Sequence, residues 1–282
     1  MDLVVVTGAT GRQGGAVARH LLEDGRRVRA LTRNPASPAA RRLADLGAEV
    51  VKGDMADPDS LRPVFRGAHG VFSVQNSMIS GLDGEVHQGR TVGDVAAEAG
   101  VAHVVYGSAG TGQPGTGVGS WESKLRVQAH LEALGLPLTV LRPMAFMELM
   151  TDKDFYPPVS AWHLMPKLVG EDRPLPWLTA QDLGAIAARA FAEPERFVGA
   201  NIALASDIRT LAECRALWAE RFGRRPRGFP MPVWLFEKFV GKDLTTMWRW
   251  LHDNPTDVDP ARTYEILPGA RTVRQWLAER RA

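Results

Sequence analysis

The stretch Leu3-Val4-Val5-Val6-Thr7-Gly8-Ala9-Thr10-Gly11-Arg12-Gln13-Gly14-Gly15 constrains this chain more than any other part of it. Four successive apolar residues bounded by glycine suit a strand buried on both faces, as in a parallel sheet. Glycines follow at positions 8, 11 and 14, then a helical pattern with Val17, Leu21 and Leu22 on one side. Strand, glycine turn and helix in this order hold a dinucleotide pyrophosphate. The turn lets backbone approach the phosphates, and the free N–H groups of the helix start meet their negative charge. The spacing is G-x-x-G-x-x-G rather than G-x-G-x-x-G, and glycine also serves plain turns. What weights the motif is its place between a buried strand and an amphipathic helix. Thr10 and Gln13 fit a capping box of the S/T-x-x-E/Q kind and, equally, direct contact with a cofactor.

The same alternation continues downstream. Strand-like runs fall at 28–32, 48–52, 70–74, 102–106 and 138–141, and helical patterns at 15–23, 39–46, 59–65, 89–99 and 123–134. Gly47, Gly100 and Gly135 stand where helices stop, and Asp57-Pro58 reads as an N-cap followed by proline at the first helical position. Such alternation predicts right-handed crossovers and an α/β, doubly wound parallel Rossmann sheet over residues 1–150. Ligands then gather at the carboxyl ends of the strands. A glycine-rich run, 110–119, follows the fifth strand and reads either as a lid over that end or as a plain surface loop.

Beyond residue 150 prolines at 157, 158, 166, 174 and 176 interrupt the pattern and tryptophans accumulate. This predicts a smaller, mostly helical C-terminal region over 151–282, which takes a substrate or a partner, with 179–205 rejoining the Rossmann core. Its tryptophans read as core.

Composition narrows the class. Lys+Arg 34 against Asp+Glu 32 leaves a net charge of +2, too balanced for a nucleic-acid or acidic-membrane partner. One cysteine, Cys214, excludes an internal disulfide and reads as a buried thiol in a reducing compartment. No run reaches the roughly 18 apolar residues of a spanning helix. The chain enters its first strand without a secretory leader, so the cytoplasm is the expected location. No metal site is read from the sequence.

Cofactor choice turns on the end of the second strand. NAD binders place an acid there, about 20 residues past the glycines. Here the residues are Ala30-Leu31-Thr32-Arg33-Asn34. Arg33 suits a bidentate grip on a 2′-phosphate, with Arg12 as a second charge, so NADP(H) is expected. Asp54 either accepts from the adenine amino group, with Met55 packed beside the ring, or shapes the next turn.

These residues resemble the NmrA-like family, atypical members of the short-chain dehydrogenase/reductase superfamily. The likeness rests on residues 6–15, Leu31-Thr32-Arg33-Asn34-Pro35, Gly53-Asp54, Gln88-Gly89, Val104-Val105-Tyr106-Gly107-Ser108, Trp121-Glu122-Ser123-Lys124 and Leu141 to Glu148. It implies an NADP-type Rossmann domain. It also implies either a reductase of quinones and other small molecules, or a redox sensor that binds NADP(H) without turnover and regulates a protein partner. The resemblance places Ser73, Val74 and Ser108 near the nicotinamide, with Pro143, Ala145 and Phe146 flanking it. Lys124 matches the lysine of Tyr-x-x-x-Lys and is expected on the ribose, but Ser120 stands where the tyrosine belongs. A serine hydroxyl is far too weak an acid to protonate a developing alkoxide. Tyr156 is the one conceivable substitute among the tyrosines, and His87 is the histidine best placed to reach the site. The reading that follows is an NADPH-dependent oxidoreductase acting on an apolar quinone or conjugated carbonyl; the alternative is the non-catalytic sensor.

Overall fold

The computed structural model describes residues 2–151, 160–228 and 230–280. The chain divides into two compact units. One takes the chain to Gly112, with Ser120–Arg142 and Ala180–Ile202; the other takes Gln113–Gly119, Pro143–Thr179 and the chain from Ala203 on.

The first unit is built on a seven-stranded sheet. Its strands are β1 (Leu3–Val6), β2 (Arg27–Thr32), β3 (Glu49–Lys52), β4 (Gly70–Ser73), β5 (His103–Gly107), β6 (Leu138–Pro143) and β9 (Asn201–Leu204), ordered β3-β2-β1-β4-β5-β6-β9. β1 pairs in parallel with β2 and with β4, so the reversal of strand order falls beside β1. Val4, Val5 and Val6 are fully buried, as their uninterrupted apolar run requires. The helices of this unit are α1 (Arg12–Glu23), α2 (Pro38–Asp45), α3 (Pro58–Phe65), α4 (Ser77–Glu98), α5 (Gly119–Ala133), α7 (Ala180–Ala192) and α8 (Pro194–Phe197). Gly184 of α7 lies so close to α1 that a Cβ there would sit 2.8 Å from that of Ala16. The expected α/β, doubly wound parallel Rossmann sheet is the observed fold.

Local chemistry sets the ends of these elements. Asp57 accepts from the Asp59 N–H with Pro58 at the helix start, as anticipated. Helix α4 begins at Ser77, ahead of the expected 89. Asn76 caps it, and the chain passes through a kink at Gly81 (φ 74°) before the regular turns. Glycines at 81, 84, 89 and 93 had diluted its apolar period.

The second unit carries a three-stranded sheet ordered β10-β8-β7, from β7 (Ala145–Phe146), β8 (Leu175–Leu178) and β10 (Asp207–Arg209). The region is mostly helical, as expected, and this small sheet within it was not anticipated. Pro176 stands within β8 opposite Ile208, and proline there erased the strand signal. The helices are α6 (Met165–Val169), α9 (Leu211–Phe222), α10 (Val233–Val240), α11 (Asp243–Asp253), α12 (Pro260–Ile266) and α13 (Val273–Ala278). Trp162, Trp177, Trp248 and Trp276 are buried in its core. Cys214 is buried too, and desolvation, with Asp207 adding to it, pushes its thiol up to about 12. Among the described residues no helix is long and apolar enough to cross a membrane.

Candidate functional site

The glycine turn is folded tightly on itself. Gly8 adopts φ +57°, and the Gly11 N–H donates to the Gly8 carbonyl at 2.8 Å. A Cβ on Gly14 would lie 2.4 Å from the Gly8 oxygen and 2.5 Å from that of Thr7, distances that only glycine permits. The capping-box expectation fails. Gly11 is the N-cap of α1, no side chain caps it, and Thr10 is exposed. The Gln13 side chain runs instead toward β5, where its buried Oε1 lacks a partner. The positive end of α1 therefore carries no side-chain acceptor of its own.

Thr7 ties this turn to the neighbouring strand: its hydroxyl donates to the Val74 carbonyl at 3.1 Å and accepts from the Val74 N–H at 2.8 Å. Val74 then lies against Gly8, 3.0 Å from where a Cβ would stand. Next to it, Gln75 Nε2 donates to the Ser73 hydroxyl at 2.9 Å and approaches Met55 Sδ, leaving Gln75 Oε1 buried without a partner. Ser108, at the end of β5, has its N–H on the Leu141 carbonyl and its buried hydroxyl unpartnered. Unpartnered buried polar atoms are uncommon, and Gln13, Gln75 and Ser108 supply them at the carboxyl ends of the strands.

Lys124 lies in the same region. Its Nζ donates to the Gln75 carbonyl at 3.2 Å and to Glu85 Oε1 at 3.0 Å. Glu85, on α4, is fully buried, and its other oxygen accepts from the Ser123 hydroxyl. The Tyr106 hydroxyl donates to the Lys124 carbonyl at 3.4 Å. Burial, with the Glu85 charge adding to it, raises that phenol well above its ordinary value. Tyr106 is therefore fixed as a neutral hydroxyl.

At the other end of the turn, Arg33 is exposed just beyond β2, and Arg12 is half-buried at the first residue of α1. Asp54 Oδ1 accepts the Ala56 N–H at 2.9 Å, which gives it the turn-shaping role that stood as its alternative. His87 is exposed, with Nε2 3.2 Å from the Ala56 carbonyl. Pro143 ends β6, while Ala145 and Phe146 form β7 in the second unit. Tyr156 lies outside the described residues.

The glycine-rich run is partly accounted for by packing. A Cβ on Gly110 would meet the Trp121 ring at 2.6 Å, and one on Gly112 would meet the Arg142 guanidinium. Arg142 in turn donates to the Thr111 carbonyl at 2.9 Å. This half of the run is held down rather than hanging as a lid. Sequence reasoning missed Glu85. Its signal was the stripe Glu85-x-x-x-Gly89-x-x-x-Gly93, which puts an acid in line with two glycines on one helix face.

The NmrA-like family pattern matches residues 1–277. The chain belongs to the NmrA-like family. Among its curated relatives, an NmrA-like family domain-containing oxidoreductase of Aspergillus flavus is 29% identical, covering 99% of this chain and 97% of that protein. One from Cladobotryum is 32% identical over 82% of this chain and 77% of its own length. Solved structures of the fold include NmrA, a negative transcriptional regulator, in complex with NADP (TM-score 0.79, 22% identity, 99% of this chain and 94% of that one). NmrA is also solved with NAD. Another is a Citrobacter triphenylmethane reductase complexed with NADP(H), with TM-score 0.77, 18% identity and 99% coverage of both chains. NmrA-like neighbours thus bind either nucleotide.

Proposed function

We propose that this NmrA-like protein binds NADP(H) at the glycine turn of its first unit and reduces an apolar acceptor, a quinone or conjugated carbonyl. The observation that carries the reading is Lys124. Two of its three ammonium donors are spent on Gln75 and Glu85, it lies where β4 ends, and the orphaned atoms of Gln75 and Ser108 cap β4 and β5. A glycine cradle that a Cβ would fill, the uncapped start of α1 and the orphan oxygen of Gln13 also fit a bound dinucleotide.

In this reading Gly8, Thr10, Gly11, Gln13 and Gly14 seat the pyrophosphate, Arg33 with Arg12 takes the 2′-phosphate, and Met55 lines the adenine side. Ser73, Val74 and Ser108 face the nicotinamide end, and Lys124 holds the ribose. The bound nucleotide supplies a hydride. Quinones tolerate the serine at position 120, because their reduced oxygens take protons from water as well as from a side chain. That same serine favours the second reading, a sensor of the NADP(H) pool that acts through a protein partner.

Loss of reduced-nicotinamide absorbance across a panel of quinones, enones and imines separates the two. The reductase reading expects turnover with at least one class; tight NADPH binding with no turnover anywhere supports the sensor and removes the enzyme.

A further inference from the structure

The Tyr-x-x-x-Lys tyrosine is missing, yet Lys124 is not left as a lone cation. Helices α4 and α5 are drawn together by glycine. A Cβ on Gly89 would stand 2.5 Å from a Val127 methyl, and one on Gly93 would stand 2.6 Å from a Leu131 methyl. Glu85, Gly89 and Gly93 succeed one another at four-residue steps, as Ser123, Val127 and Leu131 do on the facing helix. The next step of this close seam brings Glu85 to Ser123. The carboxylate thus stands fully buried, with one oxygen on the Ser123 hydroxyl and the other on Lys124. The Glu85 charge also acts on Tyr106 of β5, whose hydroxyl is committed to the Lys124 carbonyl.

A carboxylate costs a great deal to bury unless it is paired and hydrogen-bonded. Here both oxygens are satisfied, and the pair fixes the lysine as an ammonium of defined direction. The Gln75 carbonyl, at 3.2 Å, sets a second constraint from the end of β4. Two of the three N–H donors are then immobilised, and the third has no partner among the described residues.

We propose that Glu85 is a positioning residue: with Ser123 it holds the Lys124 ammonium charged and aimed, so that its remaining donor is presented to the nucleotide ribose and to the oxygen of the reduced acceptor. This rests on the placement of Lys124 at the nicotinamide end given above. A bound dihydronicotinamide would supply the hydride to the acceptor carbon, or to a ring oxygen or carbon of a quinone, leaving the oxidised ring and an anionic acceptor oxygen. Lys124 Nζ–H would donate its proton to that oxygen, and water would return a proton to the amine.

The test needs no acceptor. Acylation of Lys124 by an amine-reactive N-hydroxysuccinimide ester, read by peptide mass spectrometry on the full chain, is compared with NADPH affinity from nicotinamide fluorescence. An ammonium buried without its counter-charge gives up its proton more readily, and only the neutral amine acylates. Glu85→Gln, folded by circular dichroism, is therefore expected to acylate at Lys124 about tenfold faster and to bind NADPH about tenfold more weakly. Both values within about twofold of the wild type overturn the proposal. Should Glu85→Gln not fold, Ser123→Ala decides, because it leaves the charge and frees one carboxylate oxygen. Because the counter-charge stays, Lys124 acylation should hold within about twofold while NADPH binding weakens about tenfold as the aim is lost; NADPH affinity within about twofold of the wild type overturns the proposal. A failure of every acceptor to be reduced removes the enzyme reading but leaves these two readouts able to judge Glu85.

Discussion

Glycine forces close approach in two regions of the first unit, with opposite consequences. At the glycine turn, Gly14 abuts the carbonyl oxygens of Thr7 and Gly8, so the space a side chain would take is filled by the turn's own backbone. That leaves the start of α1 uncapped and Gln13 Oε1 unpartnered. Along α4, Gly89 and Gly93 abut the methyl groups of Val127 and Leu131, and the space is closed by a neighbouring helix. The first arrangement leaves a helix start without a side-chain cap and a buried oxygen without a partner. The second seals a seam and fixes one buried ion pair at its end. A small residue marks proximity; the polar atoms left around it tell which kind.

Substitutions put the contrast to the test. The largest effect is expected from Gly14→Ala, where the added carbon meets backbone that cannot yield. NADP(H) affinity should fall by about 100-fold or more, with a loss of stability on the order of 3 kcal/mol in urea titrations. An unaltered dissociation constant would detach the turn from the nucleotide.

The closed side of the unit has an acid-sensitive point at His103, whose Nε2 lies 2.8 Å from the Thr139 hydroxyl. Burial, with His69 adding to it, lowers its pKa to about 4 from an ordinary 6.5. The unfolded chain takes up a proton below 6.5 that the folded chain refuses until about 4. Stability is thus whole above pH 6.5 and drains as the pH falls toward 4, by at most about 3 kcal/mol. Unfolding titrations across that window should show the loss, and His103→Gln should flatten it.

Gly89→Ala should cost about 1–3 kcal/mol, because Val127 must move. Nucleotide affinity should then fall only as far as the Glu85–Lys124 seat is disturbed, unlike the collapse at Gly14. Arg33→Ala should weaken NADPH by about tenfold and leave NADH nearly unchanged; equal losses would remove the 2′-phosphate assignment. Smallest is Ser108→Ala. Removing a buried hydroxyl that has no partner should leave thermal stability within about 0.5 kcal/mol, while a modest loss of nucleotide affinity would show that the hydroxyl is kept for a ligand.

Much of this architecture was legible in the chain. The run Leu3–Val6 has no polar break and so announced a doubly buried strand. The Asp57-Pro58 pair and the glycines after α2, α4 and α5 marked helix ends because their backbone chemistry is local. What escaped depended on distance. Thr10 lost the capping role to Gly11, since the cap is chosen by how the turn folds back on Gly8. Strand β8 was hidden because Pro176, which stands opposite Ile208 of β10, reads in a sequence as a strand breaker. The stripe of Glu85, Gly89 and Gly93 marked a helix face, but the partners of Glu85, 38 and 39 residues away on another helix, were not marked by any local pattern.

The central claim is that the first turn of the chain seats a dinucleotide. Isothermal titration of the full chain with NADPH, NADP+, NADH and NAD+ tests it most directly. Saturable heat with one nucleotide per chain, strongest for the phosphorylated pair, is the predicted result; no saturable heat with any of the four would contradict it.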